Sequence, residues 1–147
     1  MPPVIDEPSM SIFIAAHLMQ RARGEDILFL AFDMAGEATA YFGVELWPEW
    51  GAAKFGGAVR AMRHGRGFGG ACSLAAVKWC FDHLGVQRIC ETTARDNHRS
   101  IRLPSRLGFA QVGEVTAHPS DGSTRPSLCW ELERVRWEEA QAQRKAG

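Results

Sequence analysis

Four glycines fall within the six positions 65–70 of this 147-residue chain. A strand-like run ends just before them, and a helical apolar pattern follows directly. Because glycine has no Cβ, the backbone N–H groups of such a segment can approach an anion closely. The positive end of the following helix adds to that attraction. The sequence therefore predicts a strand, an anion-binding turn and a helix in succession.

Charge is distributed so that this turn lies in a basic segment. Lysine plus arginine equals aspartate plus glutamate at 17 each, so the net charge gives no reason to expect nucleic acid or a membrane as partner. From Trp50 to Phe81 there is no acidic residue, whereas lysines or arginines stand at 54, 60, 63, 66 and 78. We therefore expect an anionic small molecule at the glycine turn.

The four cysteines show no spacing typical of a metal site, and most lie among apolar residues. We expect them to be reduced core residues and expect no metal. The chain begins without the pattern of a signal peptide and contains no run of about 18 apolar residues. A cytoplasmic protein is the expectation that follows.

The apolar periodicity predicts one domain over residues 1–147, with an irregular arm at 1–8 and a polar, fraying tail at 136–147. A helix capped by Ser9 is expected to run to about residue 23, and Gly24, Gly85 and Gly108 are expected to end helices. Two hairpins are predicted, one near each end of the chain. The predicted strands are 27–32, 38–46, 54–62, 86–93, 108–115 and 127–135, and further helices follow the glycines and span about 97–107.

Two interpretations of the glycines are open. Gly65, Gly67 and Gly70 have the spacing G-x-G-x-x-G, and Glu91 follows where an acid would hold a ribose. That pattern is typical of a dinucleotide-binding oxidoreductase. However, a doubly wound parallel sheet needs repeated strand–helix crossovers, whereas a tight turn at 33–37 indicates antiparallel pairing. The dinucleotide interpretation is therefore the less favoured one.

The second interpretation uses more of the chain. HGRGFG (64–69) resembles the coenzyme A loop Q/R-x-x-G-x-G/A of the GNAT acetyltransferases. DNHRSIRLPSRLGF (96–109) and LGVQRI (84–89) are similar to their ribosomal-protein N-acetyltransferase branch. The resemblance implies an α/β fold with a mixed, mostly antiparallel sheet, flanked by helices and splayed to admit coenzyme A.

The chain departs from that family in three places. His64 stands where the loop usually begins with Gln or Arg, and we expect the usual first strand and helix of the family to be absent. Pro104 stands where many relatives carry a tyrosine that protonates the departing thiolate, so that role cannot be transferred to position 104. Proline also removes a helical hydrogen bond and predicts a kink.

The resemblance implies that coenzyme A is held by one loop and by the start of a later helix. Asn97 and Ser100 are explained equally well by helix capping. The implied contacts are Ala61, Met62, Arg63, His64, Gly65, Arg66, Gly67, Phe68, Gly69, Gly70, Asn97 and Ser100.

The implied reaction transfers an acetyl group from acetyl-CoA, as co-substrate, to a primary amine of a protein N-terminus or a small molecule. Glu91 is the preferred base among Glu45, Glu49 and Glu91, although an outward-facing strand residue explains it as well. Ser100 and Ser105 are weaker candidates for the acid. The alternative function is a degenerate domain that binds coenzyme A as a sensor or partner module.

The missing first strand leaves the apolar run 27–32 at an edge of the sheet. Bare apolar edges promote aggregation, so proteins cover them. Either residues 3–5 fold back onto this edge, or a second subunit covers it. We favour a two-fold homodimer.

Overall fold

The computed structural model describes residues 7–59, 68–118 and 122–147. A single 3₁₀ turn, Pro48–Trp50, separates the second and third strands. The helices are α1 (Glu7–Ala22), α2 (Phe68–His83), α3 (His98–Leu107) and α4 (Arg134–Ala146). The strands are β1 (Asp26–Phe32), β2 (Ala38–Trp47), β3 (Ala52–Val59), β4 (Arg88–Ala94), β5 (Ala110–Ala117) and β6 (Arg125–Glu133).

The strands form one sheet in the order β1-β2-β3-β4-β6-β5. Only β3 and β4 are parallel, and every other neighbouring pair is antiparallel. Both predicted hairpins are confirmed. In the first, the Asp33 carboxylate accepts hydrogen bonds from the N–H groups of Ala35 and Glu37, which closes the turn. The predicted mixed, mostly antiparallel α/β sheet is confirmed, and a doubly wound parallel sheet is excluded.

The two faces of the sheet are covered differently. One face packs against α2 and carries the core, and side chains on it alternate with those on the other face. This is called the helix face below. Helix α1 contacts β1, and its Gln20 lies on the opposite face together with Gly43 and Glu45 of β2. The most deeply buried residues of the helix face and of α2 are Val44, Ala53, Val77, Cys80 and Ile89.

The helix boundaries follow the predicted glycines more closely than the predicted caps. Gly24, Gly85 and Gly108 follow α1, α2 and α3 with positive φ angles of 72°, 65° and 93°. Ser9, however, lies inside α1, which begins at Glu7, so the predicted cap is wrong. Lys78 and Asp82, four residues apart on α2, form an ion pair.

The C-terminal segment corrects a second prediction. Residues 136–147 were expected to fray because they are polar, yet α4 runs through them. Trp137 is 5% exposed and stacks on Phe81 with ring centroids 5.7 Å apart. Arg134 adds two hydrogen bonds, donating to the carbonyls of Phe81 and Val86. One large aromatic side chain and one arginine therefore anchor a helix whose average composition is polar.

Strand β1 lies at one edge of the sheet, as predicted. Leu30 and Phe32 on this strand are 54% and 59% exposed. Residues 1–6, which include the arm segment proposed to cover the edge, lie outside the described residues.

Candidate active site

The parallel neighbours β3 and β4 separate soon after they pair. Their ladder has only three residue pairs in the described structure, Ala52 with Arg88, Ala53 with Ile89 and Lys54 with Cys90. Beyond it, β3 continues to Val59 and β4 to Ala94. Backbone N–H and C=O groups that no longer face a strand need another partner. The predicted splaying of the sheet is therefore confirmed, and it begins after Lys54 and Cys90.

On the face opposite α2, a cleft of about 260 Å³ leads to this opening. Its floor is bare because Gly43 and Gly56, which pair across β2 and β3, both line it. Beside them a row of charged residues crosses three strands: Asp26 pairs with Glu45, and Glu45 pairs with Lys54. Tyr41 and Thr92 line the cleft as well.

Glu91 lies at the opening but on the helix face. It is the first residue of β4 beyond the last pair with β3, and Trp130 of β6 lies opposite it. Its Oε2 atom is buried and has no hydrogen-bond partner among the described residues. The outward-facing alternative is therefore wrong. Burial raises the pKa of the Glu91 carboxyl to about 7.

Alternation along β4 places Glu91 and Thr92 on opposite sides of the sheet. Thr92 lines the cleft, whereas Glu91 shares the helix face with Ile89 and with Thr93, whose hydroxyl accepts a hydrogen bond from the Trp130 indole N–H at 2.9 Å. A ligand in the cleft therefore meets Thr92 first, and it reaches Glu91 only through the opening.

The first turn of α2 adjoins the same opening. A Cβ added to Gly69 would lie 3.1 Å from the Val59 Cγ2 atom at the end of β3, and one added to Gly70 would lie 3.8 Å from the Leu103 Cδ1 atom of α3. The helix therefore starts between β3 and α3. Phe68, Gly69 and Gly70 form its first turn, while the other predicted loop contacts, Ala61, Met62, Arg63, His64, Gly65, Arg66 and Gly67, lie outside the described residues.

The predicted residues of α3 have different surroundings. The Asn97 side chain accepts a hydrogen bond from the Ser100 N–H at 3.1 Å, so the predicted capping is confirmed. Ser105 is exposed. Pro104 lies inside the helix and is buried, with its carbonyl accepting hydrogen bonds from the N–H groups of Gly108 and Phe109. Ser100 is therefore nearer the protein interior than Ser105.

The cysteines match a structural role. All four are free thiols, and burial raises the pKa of Cys80 to about 12. Within residues 7–59, 68–118 and 122–147, no group of three or more His, Cys, Asp or Glu residues is arranged to hold a metal ion. No described helix is both long and apolar enough to cross a membrane.

Comparison with known families decides between the two interpretations of the glycines. The family model described as acetyltransferase (GNAT) domain matches residues 2–110. The chain belongs to this acetyltransferase family. The prediction of an acetyltransferase is thereby confirmed, and the oxidoreductase interpretation of the glycines is set aside.

Solved structures share the fold at low sequence identity. A ribosomal-protein-S5-alanine acetyltransferase from Vibrio fischeri has a TM-score of 0.74 and 14% identity over 88% of this chain and 73% of that chain. A mutant of the spermidine N-acetyltransferase SpeG from Vibrio cholerae has a TM-score of 0.77 and 15% identity over 90% and 80%. RimJ of Mycobacterium smegmatis, in complex with CoA-disulfide, has a TM-score of 0.75 and 20% identity over 87% and 62%.

The sequence reasoning missed most of the cleft. Glu45 was named only as an available carboxylate, and Tyr41, Gly43 and Gly56 were not singled out. A signal was present, because Tyr41, Gly43 and Glu45 alternate along one strand and so share a face. The sequence pattern does not give the register between β2 and β3, which places Gly43 opposite Gly56.

Proposed function

We propose that this chain transfers an acetyl group from acetyl-CoA to a primary amine. The observation that carries the proposal is the separation of β3 and β4 after three pairs, with a helix N-terminus on one side and a cleft on the other. In such an opening, acetyl-CoA can enter from one face of the sheet, and the acceptor amine can reach the acetyl group from the other face.

The donor side fits the pyrophosphate and the pantetheine arm of coenzyme A. The N–H groups in the first turn of α2 have no partner within the helix and lie at the positive end of its dipole, and glycines in this turn allow close approach. No acid occurs between Trp50 and Phe81 to repel the phosphates. Residues 61–70, with Asn97 and Ser100, remain the proposed contacts, and the backbone at Ala61–Arg63 is the proposed stabiliser of the oxyanion.

The acceptor side fits an amine. Asp26 and Glu45 place carboxylates in the cleft, and carboxylates attract an ammonium group before it loses its proton. The amine must become neutral to attack the thioester, and the departing thiolate gains a proton. Glu91, Ser100 and Ser105 are the proposed groups that handle these protons. A protein N-terminus and a small amine both satisfy this chemistry.

One observation favours the alternative of a coenzyme A-binding module without transfer. Position 104 is a buried proline with no hydroxyl, so α3 supplies no side-chain acid from that position. A protein that binds acetyl-CoA and lacks the proton-transfer groups would sense the cofactor instead of using it.

One experiment separates the two functions. The full chain is titrated with acetyl-CoA by calorimetry, and thiol release is then followed with alkylamines, polyamines and N-terminal peptides. We expect binding together with amine-dependent thiol release. Binding without release from any amine would favour the sensor module, and preferential binding of NAD or NADP would contradict the donor assignment.

We also propose that a second copy of this chain covers the edge of β1. Leu30 and Phe32 stand exposed on that strand, whose outer edge pairs with none of the described strands. Sedimentation at micromolar concentration is expected to give a dimer, and Leu30→Glu combined with Phe32→Lys is expected to give a monomer that remains folded. The same substitutions at exposed Val112 and Val115 of β5 are the control and leave the dimer intact. A wild-type monomer would contradict the proposal.

A further inference from the structure

We propose that Glu91 delivers its proton to the sulfur that leaves the thioester, as the acid of the reaction and not as the base that activates the amine. The inference deepens the proposed function and rests on it. It follows from the side of the sheet on which the carboxyl lies, from its place in the opening and from the groups around it.

The face of the sheet decides which reactant the carboxyl meets. Alternation along β4 places Glu91 with Ile89, on the side covered by α2. The α2 N-terminus is the proposed anchor for the phosphates of coenzyme A, so the pantetheine arm and its sulfur approach from that side. The amine approaches from the cleft on the other side, where Thr92 lies.

The position of Glu91 along β4 brings it to the reacting bond. The ladder ends at Lys54 and Cys90, so Glu91 is the first helix-face residue of β4 inside the opening. Its Oε2 atom is buried with no partner among the described residues, although a buried carboxyl oxygen ordinarily has one. A thiolate sulfur at the opening supplies the missing partner, because the protonated carboxyl can donate to it.

Burial raises the protonated fraction of the Glu91 carboxyl near neutral pH, and among the described residues no charged neighbour contributes to this shift. Burial alone raises the Glu91 pKa to about 7. On the elements that pack around it, the described ionisable groups of the core cluster are the Cys72 and Cys80 thiols of α2. Burial raises the pKa of both thiols, so both stay protonated near neutral pH. The inward residues of the other elements are uncharged: Ala53, Phe55 and Val59 on β3, Leu128, Trp130 and Leu132 on β6, and Ile101, Pro104 and Leu107 on α3.

In the proposed reaction, Glu91 supplies one proton on the coenzyme A side and solvent removes one on the cleft side. The nitrogen lone pair of the neutral amine forms the C–N bond at the carbonyl carbon, and the carbonyl electron pair moves to oxygen. When that pair returns, the C–S bond breaks and its electrons leave on sulfur. The Glu91 carboxyl gives its proton to this sulfur and becomes a carboxylate. Solvent takes the surplus proton of the nitrogen on the cleft side and returns one proton to Glu91, so the products are an amide and a thiol.

The two roles for Glu91 predict opposite pH dependence. We would measure single-turnover acetyl transfer for the wild type and for Glu91→Gln from about pH 5.5 to 9.5. At each pH, the wild-type rate is divided by the rate of the variant. The titration of the amine itself cancels in this ratio. If Glu91 is the acid, the ratio is about tenfold or more at low pH and falls towards one as pH rises through about 7. Glu139→Gln, which removes an exposed carboxyl of α4, is the control with a ratio near one throughout.

Other outcomes would overturn the assignment. A ratio that grows with pH would make Glu91 the base, a ratio independent of pH would make it structural, and an unchanged rate with weaker acetyl-CoA binding would make it a binding residue. If Glu91→Gln does not fold, the test uses the wild type with hydroxylamine, an acceptor that is neutral above mildly acidic pH. A rate of transfer that rises through about pH 7 would then contradict the acid role of Glu91. Failure of the wild type to transfer to any amine would instead overturn the proposed function.

Discussion

Gly57→Ala is expected to destabilise the protein by about 3 kcal/mol, at the upper end of what overpacking costs. A Cβ at this position would lie 2.3 Å from the Tyr41 backbone oxygen and 2.6 Å from the Phe42 Cδ1 atom. Neither atom can retreat easily. Strand β2 is paired on both sides, and the Phe42 ring is stacked on Phe55 with centroids 5.4 Å apart.

Thermal unfolding measures this effect. For a chain of this size, a loss of about 3 kcal/mol lowers Tm by roughly 6–12 °C. Gly56→Ala is the matched control, because a Cβ there would meet nothing within 4 Å. The control is expected to keep its Tm within about 2 °C while raising the KM for the acceptor, since Gly56 lines the cleft. Equal Tm values for the two variants would contradict the close packing of Phe42 over β3.

Three helix ends and the start of α3 were predictable because they depend on local chemistry. Gly85 and Gly108 were expected to end helices, and both do so with positive φ angles. Asn97 was expected to cap a helix, and its side chain accepts the Ser100 N–H. These residues act on the backbone within four positions of themselves, so no knowledge of the tertiary fold is needed to find them.

The candidate site was predictable only in part, because its shape depends on contacts distant in sequence. The loop from Gly65 to Gly70 is a local motif, and the sequence identified it. The cleft instead requires Gly43 to face Gly56, and the opening requires β3 and β4 to part after Lys54 and Cys90. The alternation of residues within one strand does not show which residue of the neighbouring strand lies opposite each of them.

The face of the sheet on which Glu91 lies also depends on contacts distant in sequence. An acid is unusual inside a strand unless it serves a site, and the buried oxygen of Glu91 supports such a role. The sequence could not say which face of the sheet it occupies, because CETT (90–93) does not alternate between apolar and polar residues. Glu91 lies on the same face as Ile89 and opposite Trp130. This placement is known only once the pairing of β4 with β6 is known.

The C-terminal helix leads to the second large effect. The prediction of a fraying tail at 136–147 was wrong because it depended on the count of polar residues, in which one tryptophan has little weight. In the folded chain Trp137 is 5% exposed and stacks on Phe81, and Arg134 places its guanidinium 5.3 Å from the centre of the same ring. The Trp137 ring and the Arg134 guanidinium together therefore hold this segment as a helix against Phe81 of α2.

Trp137→Ala is accordingly expected to cost about 3–5 kcal/mol, the range for a buried aromatic side chain cut back to alanine. Urea unfolding measures the loss, and limited proteolysis is expected to remove residues after Arg134 from the variant before any other segment. Val135→Ala is the control on the same helix: Val135 is 55% exposed, so its loss should cost less than about 0.5 kcal/mol. Because α4 packs at the C-terminal end of α2, away from the opening between β3 and β4, the folded fraction of Trp137→Ala should retain acetyl-CoA binding. A variant as stable as the control would mean that α4 does not dock through Trp137.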